Sequence, residues 1–230
     1  MMKREIIKTA DGSHSLYVEG LDEHYHSIHG AIQEAKHVFI KTGLQHLYNQ
    51  GYSQINILEI GLGTGLNALL TCLEAEKLDI KIHYIALEAF PLELKLVEEL
   101  NYVELLSESE QKEIDVLKAI MNKMHISDWE KENSINPYFT LVKIKNTLQD
   151  VTFKGDFDLI YFDAFGPRVQ PEMWTEELFA KLFAATKMKG SLVTYCAKGE
   201  VKRSIKKTGF FLETLPGPPG KREMVRGTKN

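Results

Sequence analysis

Apolar residues along the chain fall first into short runs and then into helical spacing. Ile6-Ile7-Lys8-Thr9, the turn Asp11-Gly12-Ser13, and Leu16-Tyr17-Val18 predict a β-hairpin. Between residues 30 and 47 the period changes: Ala31, Ala35, Val38, Phe39 and Leu44 to Leu47 recur every three to five residues and predict a helix. Ile55 to Ile60 is a strand-like run that ends in glycines, and a helix from Leu66 to Lys77 follows. Ile82 to Glu88 predicts a second strand of this type, with a helix from about Pro91 to Leu100. The polar stretch Ser107 to Lys131 reads as helical and mostly exposed. Further strands are predicted at Phe139–Ile144, Phe157–Phe162, Ser191–Cys196, Phe210–Thr214 and Glu223–Arg226, with helices at 172–187 and Glu200–Thr208.

Strands alternating with helices predict an α/β fold, a doubly wound and mostly parallel sheet with helices on both faces. The last two strands are joined by Pro216-Gly217-Pro218-Pro219-Gly220 instead of a helix. That connection is too short for a parallel crossover, so the sheet is expected to end in an antiparallel pair.

Composition narrows the function classes. With 230 residues, 43% apolar and 26% charged, the chain can bury a substantial core, which excludes disorder as its main state. No run approaches the ~18 apolar residues of a membrane span. The start Met1-Met2-Lys3-Arg4-Glu5 lacks the apolar block of a signal peptide. Cys72 and Cys196 stand outside any metal-ligand or CxxC spacing, which argues against a disulfide framework and for a reducing, cytoplasmic setting. The net charge of −4 hides an asymmetry: from Lys181 onward there are 12 Lys/Arg against 3 Glu, and the rest carries 16 against 29 acidic residues. A basic C-terminal quarter on an acidic body is either a surface for a polyanion or a set of solvated lysines. Lys202 and Lys206, like Arg203 and Lys207, put like charges one helical turn apart, a small cost that favours a phosphate-facing role.

The strongest local signal is Glu59-Ile60-Gly61-Leu62-Gly63-Thr64-Gly65-Leu66-Asn67. A strand running through glycines into a helix leaves backbone N–H groups open and lets a ligand approach closely. The dinucleotide fingerprint would need glycine where Leu66 stands. Glu59 would repel a pyrophosphate and attract an amino-bearing cation, and S-adenosylmethionine offers a sulfonium, an ammonium and no phosphate. Glu88, at the next strand tip and 23 residues after Gly65, suits ribose hydroxyls; otherwise it is a loop-end carboxylate. Asp163-Ala164-Phe165-Gly166-Pro167 follows the fourth strand of the sheet, so Asp163 faces the same crevice. There it could hold an amine and accept its proton, or instead cap the helix opening near Pro171. Asp158 reads as solvent-facing at the strand start.

His24, His26 and His29 cluster without completing a metal-ligand set, so a polar crevice loop is expected, with Tyr25 and His26 as substrate contacts. Met173 and Trp174 are expected to pack on the core.

These residues resemble the methyltransferase-domain family of the enzymes that complete 5-methylaminomethyl-2-thiouridine in tRNA, the MnmC type. The resemblance rests on Tyr25-His26-Ser27 with Gly30-Ala31 and Glu34-Ala35, and on the Glu59–Asn67 turn. It continues in Asp163-Ala164-Phe165 with Pro167, Pro171-Glu172-Met173-Trp174, and Gly220-Lys221-Arg222-Glu223-Met224. It implies a Rossmann-like class I methyltransferase, with residues 1–50 as an N-terminal extension of hairpin and helix and residues 51–230 as the catalytic domain. It implies S-adenosyl-L-methionine as cofactor, held by Glu59, Gly61, Gly63, Gly65 and Asn67 at the methionine part and by Glu88 at the ribose. Many members place an acidic residue near the adenine where this chain has Asn146, with Asp150 nearby.

The implied substrate is the 5-aminomethyl group of uridine 34 in the tRNA anticodon stem-loop, with Asp163 between methyl and amine. The splayed base would stack on Phe165 or Tyr25, in a pocket shared with His26 and Pro167, and Lys221 and Arg222 would meet phosphates. Bifunctional members add an FAD-dependent oxidase; this chain has no second glycine fingerprint, so separate upstream enzymes are expected to deliver the aminomethyl form. No metal and no membrane partner are expected. Two alternatives stand beside this one: an aminopropyltransferase of the spermidine synthase type, and a non-catalytic RNA-binding or nucleotide-sensing module.

Overall fold

The computed structural model describes residues 3–153 and 156–230; Met1 and Met2 of the expected leaderless start lie outside them. The expected hairpin is present: β1 (Arg4–Lys8) pairs antiparallel with β2 (His14–Val18), and the two-residue β3 (Glu23–His24) adds to β2. One helical stretch follows, built of α1 (Ala31–Ala35), a π-helical segment Lys36–Leu44, and α2 (Gln45–Asn49). Its buried residues Val38, Phe39, Ile40 and Leu44 join the sheet core. A Cβ on Gly43 would stand 3.1 Å from Tyr161 and 3.2 Å from Val193, so glycine there sets how closely this helix approaches the sheet.

The main sheet then assembles. In chain order come β4 (Gln54–Ile60), α3 (Leu66–Leu78), β5 (Lys81–Leu87), α4 (Leu94–Glu98), α5 (Tyr102–Glu110), α6 (Ile114–Ile126), β6 (Glu132–Asn136) and β7 (Phe139–Ile144). They are followed by β8 (Phe157–Phe162), a 3-10 turn Pro171–Trp174, α7 (Glu176–Ala185), β9 (Thr186–Thr194), α8 (Gly199–Lys207), β10 (Phe211–Pro216) and β11 (Glu223–Thr228). The strand order is β10-β11-β9-β8-β4-β5-β7-β6. β4, β5, β7, β8 and β9 run parallel, and β11 lies antiparallel between β9 and β10. The chain fills one side of β4 with β5 and β7, then crosses to fill the other with β8. The topological switch therefore falls between β4 and β8, where α/β sheets open a ligand crevice at the strands' carboxyl ends.

Period-2 alternation divides the apolar residues between two layers. Ile57, Tyr84, Leu159 and Tyr161 face α3 and the 31–49 helix, while Leu58, Ile60, Ile160 and Phe162 face α7 and α8. α3 is buried continuously from Leu66 to Ala75 because it lies between the sheet and that helix.

Several expectations need correction. The segment read as one exposed helix is two, and α6 buries Leu117, Ile120, Met121 and Met124. The helix expected from Pro91 to Leu100 spans only Leu94–Glu98. The helix expected over 172–187 is a 3-10 turn followed by α7, and Thr186 already belongs to β9. Asp158 is buried, not solvent-facing: it accepts the Asn56 N–H at 2.8 Å and pairs with Lys187 at 3.1 Å, because β4 and β9 flank β8 on both sides. The alternative role of Asp163 as a helix cap is not realised; Thr175 caps α7.

Candidate active site

The tips of four strands, β4, β5, β7 and β8, are tied together where the sheet opens. The Gly61 N–H reaches the Leu87 carbonyl at 2.9 Å, that of Asp163 the Ile60 carbonyl at 3.1 Å, and that of Glu88 the Ile144 carbonyl at 2.9 Å. Gly61, Gly63 and Gly65 have φ of +91°, +51° and +77°, which side-chain-bearing residues rarely adopt. A Cβ on Gly61 would lie 2.8 Å from the Asp163 carbonyl oxygen, and one on Gly65 would lie 2.7 Å from the His125 ring. The turn is thus glycine by necessity of both conformation and space.

A cavity of about 300 Å³ opens above this turn. Tyr25, His26, Gly61, Gly63, Asn67, Glu88, Asn146, Asp163 and Phe165 line it, so the structure brings together most residues singled out from sequence. Glu59, Gly65, Pro167, Lys221 and Arg222 do not line it. Glu59 sits behind the wall, fully buried. Asn67 bridges it to the cavity: its Nδ2 donates to Glu59 Oε1 at 2.9 Å and to Asp163 Oδ2 at 2.8 Å. Burial holds the Glu59 carboxyl well above the usual carboxylate range; the neighbouring Asp163 charge adds to this, and the Asn67 amide opposes it. Burial likewise pushes Asp163 up to about 7, with Glu34 acting in the same direction and Asn67 and Lys221 against it.

Glu88 accepts the N–H of Gly63 at 2.9 Å and of Phe90 at 2.7 Å, one on each oxygen, leaving each a lone pair for a further donor. The Asn146 carbonyl oxygen accepts the Thr147 N–H at 2.8 Å; Asp150 bonds Thr147 outside the cavity. Tyr25 lies over Gly63, meets Phe165 edge-on at 5.1 Å, and accepts a bond from Arg4 Nε at 3.2 Å. His26 bonds Ser15, and burial lowers it to about 4, so it is neutral near pH 7. The other two histidines diverge, His24 onto Tyr17 and His29 onto Gly220. Trp174 is core, as expected, and its indole N–H fixes the Phe165 carbonyl at 2.8 Å; Met173 reaches the cavity wall instead.

Arg4, Phe90, Gln149 and Gln170 also line the cavity and were not anticipated. Arg4 arrives through the hairpin pairing and Gln149 through a loop, and neither position carries a period or motif that marks it.

Much of the basic C-terminal quarter is consumed internally. Lys187, Lys202, Lys207, Lys221 and Arg226 pair with Asp158, Glu223, Glu176, Glu34 and Glu213. Lys181 and Lys229 bond main-chain carbonyls. Among the described residues, Lys189, Lys198, Arg203, Lys206 and Arg222 form no ion pair.

A parallel sheet with a glycine turn after its central strand and an acid after the next defines a nucleoside-cofactor α/β enzyme fold. A family model described as S-adenosyl-L-methionine-dependent methyltransferase matches residues 104–230, and the chain belongs to that family. The chain is 31% identical over 218 residues to the tRNA 5-methylaminomethyl-2-thiouridine biosynthesis bifunctional protein MnmC of Leptospira interrogans, which covers 91% of this chain and 33% of that protein. It thus spans about a third of the length of the curated relatives it matches. Among solved structures, MnmC2 from Aquifex aeolicus superposes with a TM-score of 0.75 at 21% identity, covering 99% of this chain and 70% of that one. Spermidine synthase from Thermotoga maritima superposes at 0.60 and 16% identity, covering 100% and 70%. Both matches establish the fold.

The cofactor is S-adenosylmethionine, and the site's residues fit it. Asn67 lines the cavity, and its Oδ1 is a buried acceptor without a hydrogen-bond partner, suited to an ammonium. Gly61 and Gly63 line the cavity with bare backbone at positive φ, which lets a ligand approach the main chain, and no basic cluster for a pyrophosphate lines it.

Proposed function

We propose that this methyltransferase N-methylates the 5-aminomethyl group of uridine at the wobble position 34 of tRNA. The observation that carries this reading is Asp163: a carboxylate at the switch point, held by Asn67, with aromatic walls from Tyr25 and Phe165 around it. The Leptospira interrogans relative is named for the biosynthesis of 5-methylaminomethyl-2-thiouridine in tRNA, which supports this reading.

When bound, the cofactor supplies an electrophilic methyl on sulfur. Gly61, Gly63 and Asn67 would hold its methionine part, with Gly65 completing the turn outside the cavity and the Glu59 carboxyl behind Asn67. Glu88 would take the ribose hydroxyls, and Asn146 the adenine. An alkylamine is protonated near neutral pH, so its nitrogen lone pair must be freed before it can attack. Asp163, titrating at about 7, is matched to taking that proton. The splayed base would stack on the free face of Tyr25 or Phe165, which meet edge-on, with His26 lining the same cavity. Alignment of amine and methyl in the cavity would supply most of the acceleration, up to ~7–11 kcal/mol in favourable cases.

Residues 1–50 serve in this reading as an extension that walls the cavity with Arg4, Tyr25 and His26, and residues 51–230 as the catalytic domain. Arg222, with Lys198 and Arg203, would face anticodon-stem phosphates. Upstream enzymes deliver the aminomethyl group, neither a metal nor a membrane takes part, and the reaction belongs to the cytoplasm. That setting suits the two buried free thiols, Cys72 and Cys196, and no helix among the described residues is long and apolar enough to cross a membrane.

The test incubates the protein with methyl-labelled cofactor and tRNA carrying 5-aminomethyluridine, followed by nucleoside mass spectrometry. Label on uridine 34 is the expected result. Label absent from tRNA, with aminopropyl transfer from decarboxylated cofactor to putrescine in a parallel reaction, would overturn the proposal in favour of an aminopropyltransferase.

A further inference from the structure

Lys221 and Arg222 are neighbours in sequence and part in the structure. Arg222 is exposed. Lys221 turns inward: its Nζ pairs with Glu34 Oε1 and stands 3.8 Å from the centre of the Tyr195 ring. The Glu34 side chain is 8% exposed, and its second oxygen accepts the Ser27 N–H at 2.8 Å. The Tyr195 hydroxyl donates to the carbonyl of Ala164, the residue after Asp163, at 2.8 Å. None of the three side chains lines the cavity.

The loop that delivers Lys221 is closely constrained. Three prolines limit it, Gly220 has φ +83°, and a Cβ there would overlap the His29 ring. A Cβ on Gly217 would press on the Lys221 carbonyl itself. A surface lysine serving only a phosphate would need none of this. An ammonium drawn inward loses hydration, and the carboxylate and ring face it meets offset that loss.

We propose that Glu34, Lys221 and Tyr195 form a clamp behind the cavity that positions the Asp163–Phe165 segment for proton transfer, and that Lys221 is a positioning residue and not a contact for tRNA phosphate. The proposal rests on the reading of Asp163 as proton acceptor. The titratable groups that face Asp163 are Glu34 on α1, Lys221 in the β10–β11 loop, Glu59 on β4, Tyr84 on β5 and Tyr195 after β9. Glu34 raises the Asp163 titration and Lys221 lowers it, so the two act with opposite sign. Losing either partner leaves the other charge uncompensated beside Asp163.

The experiment compares Lys221→Met, Glu34→Gln, Tyr195→Phe and Arg222→Met with the parent. Three quantities are read: the NMR titration of the Asp163 carboxyl in ligand-free protein, the pH profile of single-turnover methyl transfer, and the salt dependence of tRNA binding. Lys221→Met should move the titration and the acidic limb of the profile to higher pH and slow transfer several-fold at pH 7. Glu34→Gln should move both to lower pH. Tyr195→Phe should slow transfer and leave the titration in place. Arg222→Met should reduce the logarithmic salt slope by about one and leave the titration in place. If Lys221→Met does not fold, Lys221→Gln takes its place, and the same rise in the titration with an unchanged salt slope is then expected.

A reduced salt slope in the Lys221 variants with an unmoved titration would make Lys221 a phosphate contact and overturn the clamp. So would titrations that shift in the same direction in Lys221→Met and Glu34→Gln. The titration needs no substrate, so it judges the clamp even if the parent fails to methylate tRNA, a result that counts against the proposed substrate alone.

Discussion

Replacing Asp163 by Asn separates stability from function at the centre of the site. Burial raises the Asp163 carboxyl from 3.8 to about 7. At about 1.4 kcal/mol per pH unit, keeping it ionised costs the native state up to about 4 kcal/mol, given a rise from 3.8 to about 7. Asp163 is only partly buried, and solvent screening reduces this to about 2 kcal/mol. The folded value lies above the unfolded one, so the native state holds the proton more tightly than the unfolded chain. The cost is therefore absent below about pH 4, grows between about pH 4 and 7, and is complete above about 7. Asn keeps an oxygen for the Asn67 amide and carries no charge. The variant should melt about 4–8 °C higher than the parent at pH 8 and gain nothing at pH 3.5, by the size scaling of melting temperature. Thermal melts at the two pH values test this, and methyl transfer measured at pH 8 should be lost while cofactor affinity is kept. An unchanged or lower melting temperature at pH 8 would refute the argument about burial, and retained turnover would remove Asp163 from catalysis.

Other perturbations probe neighbouring parts of the account. The rate of methyl transfer should rise with pH through about 7 as Asp163 loses its proton, and a profile flat from pH 6 to 8 would contradict its role. Gly61→Ala forces φ +91° on a residue with a side chain and drives its Cβ onto the Asp163 carbonyl. Calorimetry should show cofactor affinity falling at least about tenfold, in line with strain of about 1–3 kcal/mol. Asp158→Ala strands the Asn56 N–H and Lys187 on the far side of the sheet from the cavity opening, so urea unfolding should report a loss of about 2–4 kcal/mol. Cofactor affinity of the folded Asp158 variant should be unchanged.

How much of this was legible in the sequence depended on how local the signal is. The glycine turn was, because Gly61, Gly63 and Gly65 owe their identity to φ values set within five residues. So was the terminal antiparallel pair, since the Pro216–Gly220 connection admits no crossover. β6 was not: Glu132-Asn133-Ser134-Ile135-Asn136 buries only Ile135, and an edge strand needs little more. Asp158 misled because a charged residue opening a strand ordinarily faces water, and here two flanking strands supply an N–H and an ammonium. The charge asymmetry overstated the polyanion surface, because a count of lysines does not reveal that Glu34 would come to Lys221 from 187 positions away. Asp163, Asn67 and Glu59 were each marked by their motifs, but their joining through one amide is a fact of tertiary packing.

The central claim concerns where the methyl group is presented. A crystal structure with S-adenosylmethionine and the uridine-34 anticodon stem-loop tests it most directly. The account predicts the sulfonium methyl aimed at the aminomethyl nitrogen beside Asp163, with ribose hydroxyls on Glu88. A cofactor bound elsewhere, or a methyl turned away from Asp163, would contradict it.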